Sequence, residues 1–185
     1  MCVLETELTA FYFQNKYRLR VMDTVSKICC FAGHKDIYDN SIKEKIKERL
    51  ITLIEKENVK KFWVGNYGDF DSYSASVVRE LKQTYPDITL ELVIPYITKE
   101  MNDYKELYYK NYDCILMADI PASTPARYKI IKANQYMIDN SAYLICYVRR
   151  SYGGAARTLE YAKKKNHIKI FNLAGEWLNL IFQTQ

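Results

Sequence analysis

Residues 142–160 read AYLICYVRRSYGGAARTLE and decide the fold. The first seven of them, Ala142–Val148, form the longest apolar run of the chain and predict a buried strand. A pair of glycines follows, and Ala155, Leu159 and Ala162 then repeat at helical spacing. A buried strand that turns at glycines into an amphipathic helix is typical of a βα unit in a parallel sheet.

The same alternation of strand and helix extends over most of the chain. The predicted strands are Lys27–Ala32, Lys60–Gly65, Ile88–Pro95, Asp113–Ala118, Ala142–Val148 and Ile168–Asn172. The predicted helices follow apolar faces within Ile42–Ile54, Asp71–Thr84, Ile130–Ile138, Gly154–Lys165 and Glu176–Phe182, with a further short candidate at Lys105–Tyr112. This pattern predicts an α/β fold built on a mainly parallel sheet, with helices on both of its faces.

Length and composition fit one domain. The chain has 185 residues, and 49% of them are hydrophobic, which suffices for a sizeable core. We assign residues 1–26, which precede the first strand, to an N-terminal extension and residues 27–185 to a single domain. No apolar run approaches the roughly 20 residues of a membrane span and no signal peptide is recognised, so we expect a cytoplasmic protein with no membrane partner.

Charge and cysteine content narrow the function classes. The net charge of +5 is modest, its acidic and basic residues are interleaved, and the 17 tyrosines are scattered, so we do not expect a nucleic-acid partner. The five cysteines form no CxxC motif and no cluster with His34 or His167, which predicts reduced thiols, no metal site and no cofactor. Cys29 and Cys30 are neighbours in a predicted strand and should face opposite sides of the sheet.

Three loops at predicted strand ends contain residues suited to a ligand, because parallel α/β sheets bind ligands at the carboxyl ends of their strands. The first loop contains Gly33, His34 and Lys35. The glycine permits close backbone approach, and the two basic side chains are suited to an anion. A solvated turn is an equally good interpretation of this short segment.

The second loop reads GNYGDFD and runs from a strand into a helix. Gly65, Asn66 and Gly68 provide a backbone suited to a phosphate. The carboxylates of Asp69 and Asp71 repel a phosphate, however, and Asp71 is better suited to accept hydrogen bonds from ribose hydroxyls. The alternative is that Asp71 only caps the helix.

The third loop follows the strand quoted at the start. Gly153 and Gly154 open a helix whose free amides and dipole favour an anion. Four residues with matching hydrogen-bond donors surround this helix start, namely Arg149, Arg150, Ser151 and Arg157. We predict the phosphate site here, with an ordinary turn from strand to helix as the alternative.

At these loops the sequence resembles the SLOG superfamily, which joins the SMF/DprA-like and LONELY GUY-like nucleotide-binding Rossmannoid proteins. It looks most similar to a small branch found in Gram-positive bacteria and their phages. The resemblance covers Ile28–Leu173 and rests on the segments Phe31–Lys35, Val64–Asp71, Met137–Asn140 and Ser151–Ala155. It implies a Rossmann-like three-layer sandwich, a nucleotide or nucleotide-sugar ligand and, in many members, a homodimer.

LONELY GUY enzymes cleave the N-glycosidic bond of nucleoside monophosphates with an arginine from RKxxM and a glutamate from PGGxGTxxE. The second motif places its glutamate at Glu160, but Ala156–Arg157 replaces its Gly-Thr pair. The first motif places Ala133 at the catalytic arginine, which counts against hydrolysis. Glu160 is therefore either a catalytic carboxylate or a helix-surface glutamate that pairs with Lys163 or Lys164.

Three functions are compatible with these residues. The leading hypothesis is a binding protein that senses or sequesters a nucleotide or nucleotide derivative between the second and third loops. The alternative is a phosphoribohydrolase or deoxyribosyltransferase-like enzyme in which Glu160 or Asp71 acts on the ribose. Single-stranded DNA binding, as in the SMF/DprA relatives, is the third hypothesis, in which Arg149, Arg150 and tyrosines contact backbone and bases.

Overall fold

The computed structural model describes residues 27–175, so the predicted extension at residues 1–26 and the predicted helix Glu176–Phe182 lie outside the described residues. Six strands form one sheet in which every pairing is parallel. They are β1 Ile28–Gly33, β2 Lys61–Val64, β3 Thr89–Ile94, β4 Cys114–Met117, β5 Tyr143–Tyr147 and β6 Lys169–Asn172. Each predicted strand is confirmed as a strand of this sheet, with the central strands β1 and β5 buried and the edge strand β6 only partly buried.

Six helices connect the strands of the described part of the chain. They are α1 Ile42–Glu57, α2 Asp69–Leu81, α3 Lys99–Asp103, α4 Lys105–Asn111, α5 Ala126–Asp139 and α6 Gly154–Lys163. The short candidate at Lys105–Tyr112 is helix α4. The sequence analysis missed α3, whose five residues are too few to show an apolar stripe; its first turn is capped by Thr98, whose hydroxyl accepts the N–H of Met101 at 3.2 Å.

Two separate cores cover the two faces of the sheet. Helices α1 and α2 pack with Phe31, Phe62 and Leu92 on one face. Helices α5 and α6 pack with Cys30 and Leu144 on the other. The fold is therefore a three-layer α/β sandwich of the Rossmann-like kind, as predicted.

The strand order is β4-β3-β2-β1-β5-β6. The chain moves outward from β1 to β4 and then returns to the other side of β1 as β5. Because crossovers between parallel strands are right-handed, this reversal places α1 and α2 on one face and α5 and α6 on the other. The reversal leaves a crevice between the carboxyl ends of β1 and β5, which is where open α/β sheets bind ligands.

The cysteines within residues 27–175 form no disulfide bond with one another. Cys29 lies in the core beneath α1 and α2, and Cys30 lies in the core beneath α5 and α6. Burial raises the pKa of the Cys29 thiol well above its usual range and that of Cys30 to about 12. Both thiols therefore stay protonated and act as small apolar side chains.

Gly33 should not tolerate a side chain, because the ring of Phe70 crosses the end of β1. A Cβ at Gly33 would overlap with Cγ of Phe70, whereas a Cβ at Gly154 meets nothing within 4 Å. We expect Gly33→Ala to lower the free energy of unfolding by about 1–3 kcal/mol through overpacking. Urea denaturation measures this, with Gly154→Ala as the matched control. The prediction is wrong if Gly33→Ala lowers the free energy of unfolding as much in a Phe70→Ala background as it does in the wild type.

Candidate functional site

The first two predicted loops are joined to each other through their backbones. The N–H of Asp69 donates to the carbonyl of Lys35 at 2.7 Å. Its carboxylate accepts the N–H of Ile37 at 3.0 Å. A Cβ at Gly68 would lie 2.6 Å from Cα of Lys35. Gly68 thus permits close contact between two loops, and Asp69 fixes that contact.

Asp71 occupies the third position of α2 and folds back over the loop that precedes the helix. Its Oδ2 accepts the N–H of Tyr67 at 3.0 Å and would lie 2.8 Å from a Cβ at Gly65. The carboxylate thus reaches back past the N-cap residue Gly68 to the residue before it, one position further than the acidic side chain of a capping box. Burial raises the pKa of the Asp71 carboxyl to about 6, against the lowering effect of the Tyr67 hydrogen bond. A carboxyl that titrates near neutrality is suited to proton transfer as well as to hydrogen bonding.

Tyrosines from α4 border the same loop. Nδ2 of Asn66 donates to the hydroxyl of Tyr108 at 3.2 Å, and the Tyr108 and Tyr112 rings stack with their centroids 6.3 Å apart. Burial raises the pKa of Tyr67 to about 12, and the nearby Asp71 carboxylate adds to this rise. Tyr108 and Tyr112 were not predicted as site residues, since the segment that contains them shows no apolar stripe. Their density in residues 104–112 was the available signal.

His34 joins the first loop to the third. Its Nε2 accepts the N–H of Arg149 at 2.9 Å and that of Arg150 at 3.4 Å. Burial lowers the pKa of His34, and the Arg150 and Arg149 charges lower it further. The imidazole therefore interacts with the backbone of the third loop as a neutral acceptor, a contact that the sequence did not reveal.

Asn172, at the end of β6, holds the same loop from the opposite side. Its Nδ2 donates to the carbonyl of Val148, and its Oδ1 accepts the N–H of Val148, both at 3.0 Å. These two bonds continue the β5–β6 ladder beyond the last residue of β5. The sequence analysis did not single out Asn172, because an asparagine at a strand end carries no motif.

The start of α6 is open. Gly153 has φ of +92°, a conformation that favours glycine, and a Cβ at Gly153 or Gly154 meets nothing within 4 Å. No side chain caps this helix, so its first N–H groups have no side-chain acceptor. Ser151 and Arg157 are exposed beside them, and Arg149 and Arg150 are exposed at the beginning of the loop.

Glu160 lies on the exposed surface of α6, where its Oε1 accepts a hydrogen bond from Nζ of Lys163 at 2.8 Å. This is the i,i+3 pair that the sequence offered as the alternative to catalysis. Another SLOG-like segment, Met137–Asn140, lies at the end of α5 that leads into β5, at the amino edge of the sheet. There the hydroxyl of Tyr161 donates to Asp139 at 2.8 Å, so the segment joins α5 to α6.

Comparison with known proteins identifies the family. The family profile of YpsA, described as the YspA SLOG family, matches residues 26–174. The chain belongs to the YspA SLOG family. The resemblance to the SLOG superfamily is thereby confirmed. The four segments on which it rested lie at strand ends, at the start of α6 and at the end of α5.

The family has relatives in Gram-positive bacteria. UPF0398 protein YpsA of Bacillus subtilis is 28% identical over 133 residues, which cover 67% of this chain and 72% of that protein. A UPF0398 protein of Halalkalibacterium halodurans is 27% identical over 140 residues, covering 71% and 72%. The SPbeta prophage-derived protein YoqJ of Bacillus subtilis is 27% identical over 141 residues, covering 65% and 81%.

One solved structure shares the fold. DNA processing protein A of Helicobacter pylori superimposes with a TM-score of 0.56 at 13% identity, over 86% of this chain and 74% of that chain. Within residues 27–175 there is no helix long and apolar enough to cross a membrane. The part of the chain that the structure describes also holds no group of three or more His, Cys, Asp or Glu side chains placed to bind a metal ion.

The raised pKa of Asp71 predicts a stability that depends on pH. The folded pKa of about 6 exceeds the ordinary value of 3.8, so between these two values the folded state binds more protons than the unfolded chain. Stability therefore falls as the pH rises through this window. We expect Asp71→Asn to be more stable than the wild type at pH 7.5, by at most about 3 kcal/mol, and to lose this advantage at pH 4.

Urea denaturation of the wild type and of Asp71→Asn at pH 4 and pH 7.5 measures this difference. A carbon-13 NMR titration of the Asp71 carboxyl provides the control, with an expected midpoint near 6. An equal stability difference at both pH values, or a midpoint at the ordinary value, would show that the carboxyl is hydrated in the folded protein.

Proposed function

We propose that this protein binds a nucleotide or a nucleotide derivative at the carboxyl edge of its sheet, for sensing or sequestration. The open and uncapped start of α6 beside the β1–β5 crevice carries the proposal. Helix N-termini that begin at glycines bind phosphate through free amides, and the helix dipole adds to the attraction. Membership of the SLOG family and the position at the chain reversal both support this site.

The charges around the two loops favour a ligand with two chemically different ends. Arg149, Arg150 and Arg157 surround the start of α6, which suits a phosphate. Asp69 and Asp71 lie in the first turn of α2, directly after the second loop, where their charges would repel a phosphate. Carboxylates accept hydrogen bonds from a diol, so the ribose is proposed to lie toward Asp71. A phosphate joined to a sugar meets both requirements.

Catalysis is the second candidate, and Asp71 is the observation that favours it. Its pKa of about 6 is suited to general acid or base work on a glycosidic bond. Glu160, the other candidate carboxylate, is engaged with Lys163 on the helix surface. Ala133, which the RKxxM motif places at the catalytic arginine, is buried in the core beneath α5 and α6. These placements favour binding over hydrolysis.

Single-stranded DNA is a further candidate ligand. The Helicobacter pylori protein that shares this fold binds single-stranded DNA, so the modest net charge does not support excluding nucleic acid. Exposed tyrosines with cationic neighbours also occur here, since Lys129 lies 5.4 Å above the Tyr96 ring and Arg127 lies 4.8 Å from the Tyr128 ring. If the protein binds DNA, its affinity for oligonucleotides should fall steeply as the salt concentration rises.

The homodimer implied by the family resemblance stays a prediction.

Gly154→Asp should abolish nucleotide binding without unfolding the protein. The new side chain has open space, and a carboxylate in the first turn of a helix stabilises that helix, but it repels a phosphate at the same amides. The test records the melting temperature with nucleoside mono- and diphosphates and ADP-ribose, together with any released base. We expect the wild type to gain several degrees with at least one of these compounds, and Gly154→Asp to gain none.

Gly154→Ala is the matched control, because it fills the same space without charge and should keep the ligand-induced gain. Undiminished binding by folded Gly154→Asp would place the phosphate elsewhere. Base release that is lost on Glu160→Gln or Asp71→Asn would establish the enzyme instead. A gain in melting temperature without release of base from the ligand supports a binding function.

A further inference from the structure

The start of the third loop, which joins β5 to α6, is held from both sides. Asn172 at the end of β6 contacts it on one side, and His34 directly after β1 contacts it on the other. Asn172 of β6 pairs with both backbone groups of Val148, and His34, directly after β1, accepts the next two amides, those of Arg149 and Arg150. The ladder itself ends at the Gly33–Tyr147 pair, so these side-chain contacts fix the loop where regular pairing stops.

We propose that His34 is a positioning residue of the anion-binding loop: its neutral imidazole orients the Arg149 and Arg150 amides, and so the α6 start, without touching the ligand. This inference deepens the proposed function and rests on it. It differs from the expectation drawn from the sequence, in which His34 meets the anion directly. The two roles need opposite protonation states of His34. The imidazole must be neutral to accept hydrogen bonds from the loop amides, whereas it binds an anion more strongly when it is protonated.

The neighbours of His34 determine in which direction its pKa is shifted. The charged or titratable groups on the elements packed against it are Arg149 and Arg150 on the third loop, Tyr147 on β5, Asp69 after β2, and Lys35 and Asp36 on its own loop. Burial, and then the charges of Arg150 and Arg149, lower the pKa of His34, so the ring is neutral at pH 7 and accepts hydrogen bonds. Below this pKa the Nε2 atom carries a proton and faces two N–H donors.

Acidification should therefore release the loop and weaken ligand binding. Loss of the two bonds at Nε2 is expected to reduce affinity about tenfold. The direct-contact role predicts the reverse, since a protonated imidazole attracts a phosphate more strongly.

Two substitutions test the hydrogen-bond acceptor of His34 separately from its aromatic ring. His34→Phe keeps an aromatic ring against Tyr147, whose centroid lies 6.5 Å from that of His34, but removes the acceptor. His34→Gln removes the ring and keeps an amide oxygen that can accept. Affinity for ADP-ribose and for sulfate is measured by calorimetry from pH 5 to pH 8, a range in which neither anion changes charge. Asp71→Asn is measured in parallel, because Asp71 titrates in the same range.

We expect wild type and Asp71→Asn to lose about tenfold in affinity as the pH falls from 7.5 through the pKa of His34. His34→Phe should bind about tenfold more weakly than the wild type at pH 7.5 and show no pH dependence. His34→Gln should bind nearly as well as the wild type and also lose the pH dependence. Stronger binding at pH 5, or wild-type affinity in His34→Phe, overturns the proposal.

A second measurement needs no ligand and keeps this proposal separable from the proposed function. Hydrogen exchange of the Arg149 and Arg150 amides is followed by NMR in the free proteins, relative to intrinsic rates. We expect protection at pH 7.5 in the wild type and in His34→Gln, and its loss in His34→Phe. If neither these anions nor the nucleoside mono- and diphosphates bind, the proposed function fails, and this exchange alone decides whether His34 orients the loop. Unchanged protection in His34→Phe overturns that role.

Discussion

The pairing of β1 with β5 is the constraint on which the rest of the structure depends. β1 is the strand from which the chain proceeds outward to β4, and β5 is the strand to which it returns on the other side. Five residue pairs, from Cys29–Tyr143 to Gly33–Tyr147, fix the register of this contact. Because β1 and β5 are buried on both faces, a slip by one residue would exchange the two cores. The same register sets the loop of His34 beside the loop of Arg149.

The glycines near this edge serve different purposes, and the sequence does not distinguish them. Gly33 makes room for Phe70, and Gly68 makes room for the backbone at Lys35. Gly153 and Gly154 face open space instead, so the backbone at the start of α6 is left accessible to a ligand. A glycine in a loop motif therefore points to close approach, but the approaching group is protein in two of these cases.

The strands and most helices could be predicted because their signals are local and strong. An apolar run such as Ala142–Val148 is buried on both faces, so its pattern depends little on its neighbours. The contacts of His34 could not be predicted, since they join residues 115 and 116 positions apart in the sequence. The same holds for Asn172, which reaches back 24 positions to Val148, and for Tyr108, whose partner Asn66 lies on another element. Local patterns reveal elements, whereas these side-chain contacts depend on the completed sheet order.

The distribution of charge around the edge bears on whether the protein binds or cleaves its ligand. Cleavage of a glycosidic bond requires a carboxylate for the developing cation and a donor for the departing base at one place. Here the raised-pKa carboxyl of Asp71 lies in the first turn of α2, next to the loop after β2, and Arg149 and Arg150 lie in the loop after β5, on the other side of β1. Strands of a sheet are about 4.8 Å apart, so two steps separate these loops by roughly 10 Å. A ligand that spans this distance contacts acid and cations at different ends, an arrangement suited to recognition of both ends of the molecule.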